Sequence, residues 1–417
     1  MKSFLVPFLA LSLLSSSTVM AAPDTNDGVT SYDVKDSDYS TKMSSWSGGK
    51  SRLPMLKSEP PRLRKVAKHN NVKHVPGFYG QKSRDSKAYG TYKWPYTTAL
   101  VEPMKGPKKK DIKNVITSTQ PFLAAGKLHM RFGSAAYVCS ASLIGKGLVV
   151  TAAHCVHQYG KGSSGRATNI YFVPAATSSS NVKKAGPIGR WKVKTFWIPT
   201  CYYNGNCRGT SVINSNDVAV LILNSKPNKL PFRKGANYYN YGWNGYGFTT
   251  GSTFSSSRSM GQITQLGYPV ALSRDKGSNR SSMSGRSGGS VMIRTDSVGM
   301  YYVPYTYVKN ILWGSSQSGG SSGGPELVNF GTDAKHNSGS WAGYDSGRNV
   351  VVGVTSWGYV NPYINLIGAS MFGQNVEFPS SSYSDGTTNW GAGNIGALMR
   401  SACGVGYGGW QAKGYCR

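Results

Sequence analysis

Apolar stretches in this chain rarely run far before Gly, Pro, Asn or Ser interrupts them, and that punctuation constrains the fold more than any other feature. "PFLAAGKLHMRF", "AAYVCSASLIGKGLVVTAAHC" and "NDVAVLIL" break into strand-length segments joined by turns. With 52 Gly and 26 Tyr in 417 residues, the expectation is a β-rich body with many turns and little helix. This texture starts near Val115 and defines a folded body over 114–417. One short helix is expected in "NIGALMRSACG", where Ile395, Leu398 and Met399 share a face, Asn394 is the expected N-cap and Gly404 the stop.

Ahead of the body, 22–113 is poor in periodic apolar segments and rich in Lys, Ser, Pro and Asp, as in "PPRLRKVAKHNNVKH" and "KGPKKKD". Such a composition buries little core by itself and reads as a pro-segment or N-terminal extension, with Lys108–Lys110 as a cleavable run. The first 21 residues, "MKSFLVPFLALSLLSSSTVMA", combine one Lys, an apolar stretch from Phe4 to Leu14 and small residues before Ala21. They read as a secretory signal peptide too short to span a membrane. The expected location is therefore outside the cytoplasm, extracellular or periplasmic, with no transmembrane segment.

In an exported chain six cysteines read as three disulfides. Their positions favour local closure: Cys139 with Cys155, Cys201 with Cys207, and Cys403 with Cys416. No C-x-x-C pair or cluster of His supports a metal site. The formal charge of +30 is spread over both parts, 19 basic against 9 acidic residues in 22–113 and 27 against 8 from 114 onward. A field of that sign attracts polyanions, so anionic surfaces or wall polymers are expected partners. The bases follow no RNA-binding or helix-turn-helix pattern, which argues against a dedicated nucleic-acid site.

One segment, "GSSQSGGSSGGP" from Gly314 to Pro325, has the composition of a flexible linker. Its flanks, "VKNILW" and "ELVNF", are those of strands entering and leaving a tight turn. A serine there does chemistry only if a base removes its proton, and the base works best when a carboxylate orients it. Of the six His residues, only His154 follows an apolar strand that ends in small residues, "LVVTAAHCV". Among the eight acidic residues of the body, Asp217 stands at the mouth of the strand "NDVAVLIL".

These pieces resemble the trypsin/chymotrypsin-like serine peptidases, and within them the branch that includes the glutamyl endopeptidases. The resemblance rests on "TAAHC" at 151–155, "NDVAVLIL" at 216–223, "GYP" at 267–269, "GGSSGGP" at 319–325 and "VVVGVTSWG" at 350–358, in the order His, Asp, Ser. It implies two antiparallel β-barrels with the active site in the cleft between them. By the same resemblance His154 is the general base, Asp217 its orienting carboxylate and Ser322 the nucleophile. The amides of Gly320 and Ser322 form the oxyanion hole, and Ser316, Ser356, Trp357 and Gly358 bind substrate. No metal or organic cofactor is implied. Protein or peptide substrates are, and the chain is expected to act as a monomer.

A second match to the nucleophile pattern, "GRSGGSV" at 285–291, makes Ser287 a decoy: no substrate-binding strand follows it at a suitable distance. The chain departs from the family at two places. Ser321 stands where the chymotrypsin branch has an Asp that pairs with a newly cut N-terminus, and Ser356 stands where the glutamyl endopeptidases place a His. The first puts that activation switch in doubt and the second weakens Glu specificity. An uncharged pocket is expected to take neutral side chains such as Leu, Phe, Tyr or Met. The rival reading is a catalytically silent relative that binds anionic partners through its basic surface; the retained His, Asp and Ser argue against it.

Overall fold

The computed structural model describes residues 28–39, 50–51, 55–56, 96–101, 116–177, 186–242, 260–270, 291–302, 307–331, 348–359 and 365–417. The expected signal peptide, the run Lys108–Lys110 and Ser287 lie outside them.

Four short strands precede the body: β1 (Val29–Asp33), β2 (Lys50–Ser51), β3 (Met55–Leu56) and β4 (Tyr96–Leu100). Six antiparallel strands then form a first ring: β5 (Ala125–Phe132), β6 (Ala135–Leu143), β7 (Leu148–Thr151), β8 (Thr168–Pro174), β9 (Trp191–Pro199) and β10 (Ala219–Asn224). Pairing of β8 with β9 closes it, with Tyr171 opposite Lys192. After β11 (Asn240–Tyr241), a second ring is made of β12 (Met260–Gly267), β13 (Ile293–Tyr302), β14 (Asn310–Gly314), β15 (Pro325–Val328), β16 (Val350–Tyr359) and β17 (Leu366–Met371). Here β16 closes on β17, with Val354 opposite Ser370. The fold is the expected pair of antiparallel β-barrels.

Closure explains why several strands do not alternate apolar and polar residues. In β10, Ala219 to Leu223 are all buried, because one face fills the ring and the other lies beneath a C-terminal helix, Gly393–Cys403, that packs on β9 and β10. A five-residue helix, α1 (Thr200–Asn204), follows β9, and the C-terminal helix is α2. Gly404 ends α2 as expected, but Asn394 is not its cap. It sits inside the helix and uses its side chain to hold neighbouring loops, accepting from Gly373 N at 3.1 Å and donating to Ser215 O at 2.8 Å.

Two pieces of 22–113 add strands to the edges of the rings. All five residues of β1 pair with β9 and bury Val29 and Thr30, while β4 pairs with β13 along its whole length, from Leu100 opposite Ile293 to Tyr96 opposite Ser297. Their apolar content is too slight to announce strands, and they become strands because each finds an unpaired edge.

Candidate active site

The site begins at the end of β7. The apolar strand "LVVT" runs into a 3₁₀ turn, Ala153–Cys155, and the Cys139–Cys155 disulfide ties that turn to β6. His154 is thereby buried. Its Nδ1 lies 2.6 Å from Asp217 Oδ2, and its backbone N–H donates to Asp217 Oδ1 at 2.8 Å. The carboxylate accepts a third bond, from Ser356 Oγ at 2.6 Å. With both oxygens engaged, Asp217 fixes the imidazole ring and holds the proton on Nδ1, leaving Nε2 as the free acceptor.

Asp217 is placed by the residues just before it. The Asn214 carbonyl accepts from Asn310 Nδ2 and Ser370 Oγ, both at 3.0 Å, and Ser215 Oγ accepts from Lys309 N at 2.9 Å. Asn216 donates to Glu377 and accepts from Asn375. Strands β14 and β17 of the second ring thus set the position of a carboxylate that belongs to the first.

Ser322 lies in the turn between β14 and β15 and is buried. The turn docks on β6: Ser322 O accepts from Ser140 N at 2.7 Å, and Ser140 Oγ donates to Gly320 O at 2.9 Å while accepting from Tyr268 N at 2.8 Å. Two glycines make this contact possible. Gly320 has φ +100°, and a Cβ there would lie 2.6 Å from Tyr268 O; Gly323 has φ +75°, and a Cβ there would lie 1.9 Å from Thr151 Oγ1. Among the described residues, His154 Nε2 and Ser322 Oγ are buried with no hydrogen-bond partner. A base and a hydroxyl held without other partners are what proton transfer at a nucleophile requires.

The residues expected to bind substrate divide between two tasks. Ser356 spends its hydroxyl on Asp217. Trp357 is fully buried and donates Nε1 to Asn310 Oδ1 at 2.7 Å. Ser316 Oγ lies 3.2 Å from Thr98 Oγ1 of β4, which is in turn 3.1 Å from Thr295 Oγ1, and Thr295 Oγ1 also accepts from Gln317 Nε2 at 3.1 Å. The group around Ser316 is therefore polar and uncharged. The charged residues of β13 point elsewhere: Asp296 accepts from Thr264 and pairs with Arg294. Thr98 had no signal in the sequence, because it comes from a segment that looks coreless. Ser140, next to a half-cystine, was equally silent.

Behind the serine turn sits a buried carboxyl, Glu326. Its Oε1 accepts from Thr355 Oγ1 at 2.6 Å, and that hydroxyl accepts from Gln265 Nε2 at 3.0 Å. Burial pushes the Glu326 carboxyl well above its ordinary value, with the Thr355 bond a smaller opposing influence. The folded protein keeps Glu326 protonated where the unfolded chain has already ionised. The unfolded state then binds fewer protons, and this residue lowers stability as pH rises past the ordinary Glu value of 4.5. Glu326→Gln should leave the thermal midpoint unchanged near pH 4 and raise it progressively towards pH 8; melting curves showing equal midpoints at both pH values would refute this.

His154 is also close to the sulfurs of Cys139 and Cys155, but those sulfurs form the disulfide and present no thiolate to a metal. The other two bridges join Cys201 to Cys207, just after β9, and Cys403 to Cys416 beyond α2.

Two closed six-strand rings, with a buried His–Asp pair from one facing a serine turn from the other, have the architecture of the two-barrel serine peptidases. Residues 115–370 match the family model described as Trypsin, and the chain belongs to that family of serine endopeptidases. Solved structures similar to it include the protease Anisep from Arthrobacter nicotinovorans, 22% identical over 61% of this chain and 92% of that one, with a TM-score of 0.41. The thermostable serine protease AL20 from an extremophilic microorganism is 19% identical over 60% and 92%, with a TM-score of 0.41. A Glu endopeptidase is 17% identical over 61% and 88%, with a TM-score of 0.36. No curated protein matches the chain. Among the described residues, no helix is long and apolar enough to cross a membrane.

Proposed function

We propose that this chain is an exported endopeptidase that cleaves peptide bonds through Ser322, His154 and Asp217 by way of an acyl-enzyme. The observation that carries the reading is the buried His154–Asp217 pair, with Nε2 free, beside the serine turn docked on β6. Ser322 Oγ attacks the scissile carbonyl and gives its proton to His154 Nε2. The amides of Gly320 and Ser322 receive the developing oxyanion, and the positive φ of Gly320 allows that turn of the backbone. His154 then protonates the leaving nitrogen, and water, activated by the same imidazole, releases the acyl group.

The acyl half of the substrate lies along Ser356–Gly358 of β16 and the leaving half along the β6 side of the cleft. Fluorophosphonate labelling tests the reading. The expected adduct is on Ser322, located by peptide mass spectrometry, and is lost in His154→Ala. A folded protein that takes up no label would instead support the reading as a binding relative of the family.

The uncharged group of Ser316, Thr98, Thr295 and Gln317 offers no carboxylate for Lys or Arg and no cation for Glu. Cleavage is therefore expected after neutral residues such as Leu, Phe, Tyr or Met, which gain by hydrophobic transfer. A peptide library in which Arg, Lys or Glu dominates the position before the cut would overturn this.

A further inference from the structure

The buried group of Glu326, Thr355 and Gln265 extends past the serine turn, and its far end reaches the residues around Ser316. Ser315 Oγ donates to Gln265 Oε1 at 2.7 Å and accepts from Gln317 N at 3.2 Å. Gln317 is the residue whose side chain meets Thr295 in the uncharged group described above. Gln265 itself, on β12, lies opposite Glu326 of β15. Gln265, Ser315, Thr355 and Glu326 are all buried, where hydrogen bonds are electrostatically stronger than in water.

The donors along this chain all point one way, and two groups that can only donate decide the direction. Trp313 Nε1 faces Gln265 Oε1 at 3.4 Å, so the carbonyl of the Gln265 amide is on the Ser315 side and its Nε2 on the Thr355 side. Gln317 N donates to Ser315 Oγ, which leaves the Ser315 proton for Gln265 Oε1. Thr355 Oγ1 accepts from Gln265 Nε2 and donates to Glu326 Oε1, where the chain ends. Bonds that share one direction polarise one another.

Thr355 is the anchored end. Its N–H donates to Gly324 O at 3.0 Å and its carbonyl accepts from Gly323 N at 2.8 Å, so the backbone just after Ser322 holds it independently of Gln265. We infer that Gln265 is a positioning residue for substrate selection: it ties the pocket wall at 315–317 to Thr355 and Glu326 and so fixes that wall relative to the nucleophile. The inference rests on the proposed site, in which Ser316 and its neighbours receive the side chain before the scissile bond. A wall held in this way does not reshape itself around a poorly fitting side chain. The contacts of a well-fitting one then stabilise the transition state instead of ordering the pocket.

Gln265→Leu removes the amide and its bonds. The measurement is kcat/KM for two peptides that differ only before the cut, one with Leu and one with Gly. The Leu-to-Gly ratio should fall about tenfold, the scale of one pocket contact. Fluorophosphonate labelling of Ser322, which asks little of the pocket, should stay near the wild-type rate. An unchanged ratio would overturn the inference, and so would a uniform loss on both peptides, which is what general destabilisation produces. Because Gln265→Leu also strands Trp313 Nε1, Ser315→Ala is the second variant: it cuts the neighbouring link, leaves the Trp313–Gln265 pair in place and should lower the ratio similarly. Glu326→Gln keeps an acceptor for Thr355 and should keep the wild-type ratio, whereas Glu326→Leu should lose it. Equal ratios in that pair would overturn the chain.

Hydrogen exchange reads the tie without catalysis. In Gln265→Leu the Gln317 amide should exchange faster, while the Gly323 amide, bonded to Thr355 O, should not. An unchanged Gln317 amide would overturn the inference even in a protein that cleaves nothing. A wild-type protein that takes no label, with a Gln317 amide that still responds to Gln265→Leu, would keep the tie and remove the catalytic reading.

Discussion

Ser322→Ala should lower turnover by on the order of 10⁴-fold or more while leaving the protein at least as stable as before. The two halves of this expectation have separate causes. In the proposed mechanism Ser322 Oγ is the attacking atom, so nothing replaces it. It is also a buried hydroxyl with no partner among the described residues, so its deletion leaves no new orphan. His154→Ala and Asp217→Ala should be as damaging to turnover, and combining them with Ser322→Ala should add nothing, because the three groups act as a unit.

Stability should separate the three variants. Asp217 accepts from His154 N, His154 Nδ1 and Ser356 Oγ, and its removal strands three buried donors. About 1–3 kcal/mol is expected for each donor that finds no water. Steady-state kinetics with chemical denaturation checks both axes. Near-normal proteolysis in Ser322→Ala, together with a dead Ser287→Ala, would assign the nucleophile to the other Gly-x-Ser-Gly-Gly turn.

Gly323→Ala should abolish activity by a different route. Its φ of +75° already disfavours any side chain, and the added Cβ would stand 1.9 Å from Thr151 Oγ1, 2.5 Å from Ser140 O and 2.9 Å from Ala152 N. Two of those atoms are backbone. Thr151 Oγ1 is held by its own bond to Ser140 O at 2.8 Å and cannot simply rotate away. The turn bearing Ser322 must then lift off the turn bearing His154, at a cost on the order of 3 kcal/mol or more. Gly331→Ala is the control: its φ is +72°, but among the described residues nothing lies within 4 Å of the new Cβ, so only the backbone penalty of about 1–2 kcal/mol is expected. Equal stability losses in the two variants would show that the close approach between the turns does not matter.

Much of this was legible in the chain itself. Short apolar runs cut by Gly and Pro specify strands because a segment of four to nine residues buries its apolar face only by pairing with others. The motifs around His154, Asp217 and Ser322 are equally local, because each is a sharp turn at a strand end and needs small residues there. The role of Ser356 was not visible in this way. Its side chain was expected on the pocket wall, and only the packing of β16 against the loop before β10 aims it at Asp217. Thr98 was further out of reach, since pairing at a sheet edge uses backbone groups that every residue carries and leaves little mark on composition.

The sequence by itself determined the all-β class, the strand-ending turns and the identities of the three candidate catalytic residues, because hydrophobic period and turn chemistry act over a few neighbours. The tertiary structure alone decided which residues hold Asp217, which glycines must be glycine, and that pieces of a basic, core-poor N-terminal region add strands to the edges of both rings. Those outcomes depend on atoms more than two hundred residues apart coming within hydrogen-bond distance, as Thr98 and Ser316 do at 3.2 Å across 218 positions, and no local pattern encodes such a meeting.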